Sequence, residues 1–278
     1  MSNDTNILGY HPGSTFFHQL NGTTKILGLV LLTLIGMISF NTWYLILLCV
    51  LSVVAFISAK IKWQEVRTLT IAIILFTLLN LVLIYAFGPN YGSALYHSRH
   101  VIIGGNSFFA LTWEELFYLF NMFLKYLFAV PLVYVFLFTT NPSEFAASLN
   151  RIGIPYKISY SIAIALRYIP DVQYEFHQIS LSQQARGLEL SKKAHLWRRL
   201  TSSSRILIPL IFNSLDRIET VSRAMRLRRF GTRKTRTWYM NKPGSKKDWW
   251  MLGIIVGLTI LGLLLFIVDS GRYFNPFK

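Results

Sequence analysis

Apolar residues are distributed along this chain in two different ways: in some stretches they run almost unbroken, and in others they return in steps of four and three. The unbroken runs are Leu69–Phe87, Leu116–Phe138 and Trp249–Val268. Each is close to the roughly 20 residues that cross a bilayer as a helix. The stretch Ile26–Ala59 is apolar apart from a break at Asn41-Thr42-Trp43. At ~1.5 Å per residue, Ile26–Phe40 rises only ~22 Å. That leaves a tight hairpin of short helices or a partly re-entrant segment, and the hairpin is the expectation. Trp43-Tyr44 at the turn and Trp249-Trp250 at the head of the last run suit the water–lipid boundary. Pro131 predicts a kink in its span.

The stepped pattern occupies the region between the third and last of these runs. One stripe reads Ile158, Ile162, Ala165, Ile169, Val172, Phe176 and Ile179, and its steps continue through Gln183 to Arg186. A second reads Leu207, Ile211, Ser214, Ile218, Val221 and Met225, and its next step is Arg228. This period predicts two long amphipathic helices, each burying a seam against a partner helix or core. The first is expected to open at Gly153-Ile154-Pro155 and close on Gly187 as a left-handed C-cap. The second is expected from about Ser204 to Arg229, stopping near Gly231. Arg186 and Arg228 lie 42 residues apart, six heptads, at the ends of their stripes. Singly, each is accounted for by a cation complementing a helix C-terminus. Their shared register argues for more: a cation emerges at the end of each packed seam, and the two ends make a docking fork for an acidic partner. A guanidinium grips carboxylates in a bidentate way that lysine cannot reproduce.

Composition agrees with a membrane protein. Of 278 residues, 53% are hydrophobic and 14% charged, and mean hydropathy is +0.43. The net charge of +16 is uneven, because residues 140–248 carry 20 of the 28 Lys and Arg but 7 of the 12 Asp and Glu. By the positive-inside rule that region, and the turn bearing Lys60, Lys62 and Arg67, are cytoplasmic. The resulting organisation is a membrane domain of four spans over 1–139, a cytoplasmic domain over 140–248, and a final span with a short tail over 249–278. The fold class is therefore all-α and polytopic, with about five spans. The start of the chain, with Asp4 and no early basic cluster, does not resemble a cleavable signal peptide.

Other candidates weigh less. Basic residues such as Lys192-Lys193 and Arg198-Arg199 favour contact with anionic membrane lipid, and no reader motif supports nucleic-acid binding. Lys125, with Asn121 nearby, lies inside a span and is expected either to snorkel or to pair within the bundle. Gly253-x-x-x-Gly257 is expected to form an internal packing seam rather than a dimer contact. His97-x-x-His100 lacks further ligands and reads as surface. Cys49 is the only cysteine, which excludes a disulfide framework. No phosphate-binding loop, zinc-protease pair or nucleophile elbow occurs, so neither catalysis nor a bound cofactor or metal is expected.

Taken together, these residues resemble the transmembrane (T) component of energy-coupling-factor (ECF) transporters, a branch of the ABC importers. The resemblance begins at Gly9-Tyr10-His11-Pro12-Gly13-Ser14 and continues with His18-x-Leu20 and Lys25, with Gly22 where many members have proline. It takes in Thr139-Thr140-Asn141-Pro142, Gly153-Ile154-Pro155 and Ala165-Leu166-Arg167-Tyr168-Ile169-Pro170. It is most specific at Gln184-Ala185-Arg186-Gly187 and Ala224-Met225-Arg226-Leu227-Arg228-Arg229-Phe230-Gly231. In the second, Leu227 and Arg229 stand where Ala and Gly are frequent. The resemblance implies a non-catalytic scaffold with two crossed coupling helices. Their tips, Ala185-Arg186-Gly187 and Leu227-Arg228-Arg229, would each enter a groove on one of two cytoplasmic ABC-type ATPases, which hold ATP-Mg. A substrate-binding S component for a vitamin or metal ion would meet the seam residues Ile158, Ile162, Ala165, Ile169, Leu207, Ile211 and Ile218. Two other readings stay open: a lipid-binding anchor, and a conventional permease, for which Asn80, Asn121 and Lys125 offer few polar groups.

Overall fold

A computed structural model describes residues 13–96, 98, 100–103, 110–188, 196–232, 237–238, 242 and 244–268, and only the backbone of 103 and 196–202. The chain divides into two compact units, one holding Gly9–Asn141 with Lys242–Lys278 and the other holding Pro142–Asn241. The resemblance at Gly9–Pro12, the His97 of the histidine pair and Lys192-Lys193 lie outside the described residues.

In the first unit the apolar runs become helices α1 (Phe16–Gln19), α2 (Gly22–Ile38), α3 (Thr42–Ser58) and α4 (Trp63–Phe87). A short α5 (Tyr91–Tyr96) and an antiparallel pair, β1 (Val101–Ile103) and β2 (Leu111–Thr112), lead into α6 (Trp113–Thr139). Among the described residues, three helices are long and apolar enough to cross a membrane: α4, α6 and the Lys246–Val268 helix. The Ile26–Ala59 stretch forms two 17-residue helices joined by Ser39-Phe40-Asn41, each roughly 25 Å long. Asparagines start both, since Asn21 Oδ1 accepts from Thr23 N–H and Asn41 Oδ1 from Tyr44 N–H.

The core of this unit joins Leu32 and Ile35 of α2, Tyr44, Leu45 and Leu48 of α3, Leu124 and Phe128 of α6, and Ile255 of the last helix. Close approach is possible because Gly36 faces Phe128: a Cβ there would stand 2.4 Å from the ring. Two lysines tie α2 and α6 together. Lys25 Nζ donates to Thr139 O at 2.7 Å, and Lys125 Nζ donates to Met37 O at 2.6 Å while lying over the Phe40 ring. Each places a cation on the unsatisfied carbonyls at a neighbouring helix's C-terminus. Lys125, 4% exposed, thus pairs within the bundle. Asn121 joins Thr42 Oγ1 to the same region at 2.8 Å.

The Gly253-x-x-x-Gly257 expectation is overturned. No atom lies within 4 Å of a Cβ built on either glycine, and both are exposed. The buried residues of that helix are Asp248, Ile255 and Gly262, the last against Ile35 and Tyr44. A helix apolar all round carries no sequence signal for which face meets the bundle. His100 is engaged by Glu114, whose carboxylate lies 2.6 Å from its ring Nδ1, and no group of metal-ligating side chains forms among the described residues.

In the second unit α7 (Pro142–Arg151) precedes α8 (Tyr156–Ala185) and α9 (Leu196–Leu227); α10 (Lys246–Val268) belongs to the first unit. α8 starts where the Gly153-Ile154-Pro155 break predicts. α9 starts eight residues earlier than Ser204, so the serines at 202–204 lie inside the helix. Both helices run through a proline, Pro170 and Pro209.

Candidate functional site

The two arginine tips are built by the same backbone device. At the end of α8, Leu188 N–H donates to Gln183 O (3.0 Å) and Gly187 N–H to Gln184 O (2.9 Å). At the end of α9, Phe230 N–H donates to Met225 O (2.9 Å) and Arg229 N–H to Arg226 O (3.0 Å). Bond for bond these are one Schellman-type cap repeated 42 residues on. Arg186 and Arg228 occupy the same place in it, each the last residue before a left-handed turn. Gly187 makes that turn at φ 82°, as the sequence predicts, and Arg229 makes it at φ 53°. Left-handed geometry is free for glycine and costs other residues about 1 kcal/mol. Arg186, Arg228 and Arg229 are all exposed.

The tips do not form a fork. Arg217, in the middle of α9, reaches Asp171 (3.4 Å) and Glu175 in the middle of α8 and lies over the Tyr168 ring. Phe230, just past the end of α9, packs on Tyr160 near the start of α8, ring centroids 4.6 Å apart. The helices are therefore antiparallel, and their C-terminal tips point to opposite ends of the pair. From Tyr160, level with the α9 tip, to Arg186 is 26 residues of helix, roughly 39 Å. The periodicity that places each arginine on its stripe contains no information on whether the stripes run in the same direction.

The tips also differ in what holds them. The α9 tip is anchored to the first turn of α8 by an aromatic cluster: Tyr156 and Tyr160 stack 5.7 Å apart, Phe230 sits against both, and Trp238 lies 5.4 Å from Tyr156. Trp238 Nε1 donates to Asn150 Oδ1 at the end of α7. Sequence periodicity gave no signal for this cluster or for Arg217, because neither Phe230 nor Trp238 belongs to a stripe and Arg217 reads as a solvated charge.

The seam is an open groove of about 510 Å³ over part of its length, with Ala165 and Val172 on one wall and Ser214, Ile218, Val221 and Met225 on the other. Towards the N-terminal half of α9 the buried residues are Ile206 and Leu210, one position before the expected Leu207 and Ile211. Leu207, Ile211 and Ile218 are 47%, 55% and 63% exposed, alongside Ile208, Phe212 and Leu215. That half is apolar around more than one face, so it packs with one side and leaves the other uncovered. On α8, Ile158 is exposed, while Ile162 and Ile169 are half-buried.

A family model described as cobalt transport protein, CbiQ, matches residues 13–239, which takes in both helices and both tips. Over nearly its whole length the chain is similar to energy-coupling factor transporter transmembrane proteins EcfT. It is 27% identical to that of Streptococcus equi over 280 residues (96% of this chain, 98% of the relative). It is 26% identical to that of Bacillus subtilis over 279 residues (96% and 99%), and 28% identical to that of Thermosediminibacter oceani over 246 residues (82% and 85%). Given the apolar spanning helices and the paired arginine caps, the chain belongs to the CbiQ family and is a multi-pass transmembrane component of the energy-coupling-factor transporter type.

Proposed function

We propose that this chain is the energy-coupling scaffold of an ECF-type importer, joining ATP hydrolysis by two cytoplasmic ATPases to uptake of a vitamin or metal ion held by an S component. The observation that carries the reading is the repeated cap. One antiparallel helix pair presents the same arginine, in the same backbone setting, at each of two ends roughly 39 Å apart. A fork would suit one acidic partner, whereas two separated ends suit two, one ATPase subunit per tip. The +13 charge of residues 140–248 favours the cytoplasmic side for the pair.

In this mechanism each guanidinium, held past the last turn of its helix, enters a carboxylate-lined groove on one ATPase. When ATP brings the ATPases together, the tips are displaced in opposite senses. Because α8 and α9 are clasped at their middles through Arg217, such displacements rotate the helices about that crossing. The uncovered apolar face around Leu207, Ile211 and Leu215 then turns with α9 and carries the S component with it. Rotation of packed elements about an interface is an established way to transmit such motion. The chain itself performs no catalysis and holds no cofactor; the ATP-Mg belongs to the ATPases.

The test is recovery of the tagged chain from its native membranes beside an Arg186→Glu/Arg228→Glu double variant, with the partners identified by mass spectrometry. Two ATPase subunits retained by the native chain and absent from the variant are expected. ATPases recovered equally with both would overturn the docking role.

A further inference from the structure

The turn between α3 and α4 departs from two local rules at once, both times in favour of a cation. Lys60 follows the end of α3 in the left-handed conformation, φ 54°, at a position that glycine fills without steric penalty. Lys62 is the N-cap of α4 and makes no side-chain cap bond, where Ser, Thr, Asp or Asn would satisfy a backbone donor. A lysine there also opposes the positive end of the helix dipole. Local rules broken without structural gain mark functional positions. A 25-residue helix begun in this way offers unsatisfied N–H groups and two ammonium groups to an anion.

Two adjoining cavities surround this turn. One, of about 290 Å³, is lined by His18, Lys60, Lys62, Glu65 and Phe138. The other, of about 390 Å³, is almost wholly apolar and runs between α3, α4 and α6, with Phe56, Trp63, Ile74, Pro131 and Tyr134 on its walls. They approach each other along α6, where the Tyr134 ring of the crevice lies 6.4 Å from that of Phe138 in the basic pocket. Two polar contacts bracket the crevice, Thr70 with Tyr134 and Tyr126 with Asn80, each at 3.0 Å. Val66 and Thr77 are the buried residues of α4, so the helix is fastened at points and leaves a gap between them.

We propose that this is a binding site for one anionic phospholipid of the leaflet facing the basic residues. Its phosphate lies between Lys60 and Lys62 at the start of α4, and an acyl chain fills the crevice and completes the packing of α4. Charge complementarity selects the headgroup: Lys60, Lys62 and nearby Arg67 outnumber Glu65. The apolar crevice selects a lipid over a free phosphate. Basic pockets between membrane helices take anionic headgroups on these grounds.

The test is native mass spectrometry of the full chain with its co-purified partners in mild detergent, titrated with dioleoyl phosphatidylglycerol or dioleoyl phosphatidylcholine. One phosphatidylglycerol is expected to bind in preference to phosphatidylcholine. Lys60→Gln/Lys62→Gln should weaken it roughly 30-fold, about fivefold for each lysine. Lys246→Gln/Lys247→Gln, which removes equal charge elsewhere, should not. Ile74→Trp, which fills the crevice, should also displace the lipid. Equal retention of both lipids, or phosphatidylglycerol retained by the Lys60/Lys62 variant, would overturn the site. Displacement by millimolar inorganic phosphate with no effect of Ile74→Trp would show a phosphate site instead, and would overturn it too.

Discussion

The ends of α8 and α9 are the same motif executed twice with different means. Both close with the same pair of backbone hydrogen bonds and set an arginine before a left-handed residue. The α8 tip uses Gly187 and is conformationally relaxed. The α9 tip accepts the strain of Arg229 and adds an aromatic anchor of Phe230, Tyr156, Tyr160 and Trp238. Where glycine is missing, tertiary contacts hold the turn. The comparison teaches that what is shared between the tips is the direction in which an arginine leaves the helix, while the residues enforcing that direction are free to differ.

The largest effect comes from attacking the shared element. Arg186→Glu and Arg228→Glu should each cost the ATPase contact about 2–5 kcal/mol, the range for breaking one partner of a docked charge pair. With the tips at opposite ends, each single variant should retain partial ATPase association and only the double variant none. Complete loss in both single variants, by quantitative pull-down, would argue that the tips act as one site.

A smaller effect should separate the tips. Phe230 is half-buried, so Phe230→Ala should loosen the α9 tip by about 2 kcal/mol, below the full cost for a core phenylalanine. Amide hydrogen exchange should quicken at Arg229 and Phe230 and stay unchanged at Gly187 and Leu188. Exchange rising equally at both tips would deny the anchor its local role.

The cap residues give a pair of opposite sign. Gly187→Val should destabilise the α8 cap by about 1–2 kcal/mol, since a branched side chain resists left-handed geometry. Arg229→Gly should stabilise the α9 cap by about 1 kcal/mol. Thermal unfolding of the purified chain in detergent reads both signs. The smallest effect belongs to the clasp between the tips: Arg217 with Glu175 is partly exposed, and a double-mutant cycle of Arg217→Met and Glu175→Gln should give a coupling of about 0.5–1 kcal/mol.

Much of this molecule is legible in its sequence because the relevant signals are local. Apolar runs of spanning length and the Asn41 break yield the helices α2, α3, α4, α6 and α10, and Gly153-Ile154-Pro155 and Gly187 mark where α8 begins and ends. The resemblance resting on Gln184–Gly187 and Ala224–Gly231 leads to the family that the comparison over residues 13–239 supports. Faces are less legible. Leu207 and Ile211 read as seam residues, but Ile206 and Leu210 are the buried ones, because a half-helix apolar on two sides admits either register. Gly253 and Gly257 fail for the same reason on α10, whose polarity barely varies around the axis.

By itself, then, the sequence determined the main apolar and amphipathic helices, where α8 and α9 end, that the apolar runs belong in a membrane, and that one arginine stands at each of two equivalent helix ends. Those properties follow from residue propensity, length and period, which act over a few turns of chain. Tertiary structure alone decided that α8 and α9 run antiparallel, so that the arginines separate instead of forming a fork. It alone turned Gly262 inward and Gly253 outward, and placed Phe230 on Tyr160 and Arg217 between Asp171 and Glu175. Direction and facing are relations between distant segments, and a periodic stripe is equally well buried by a partner running either way.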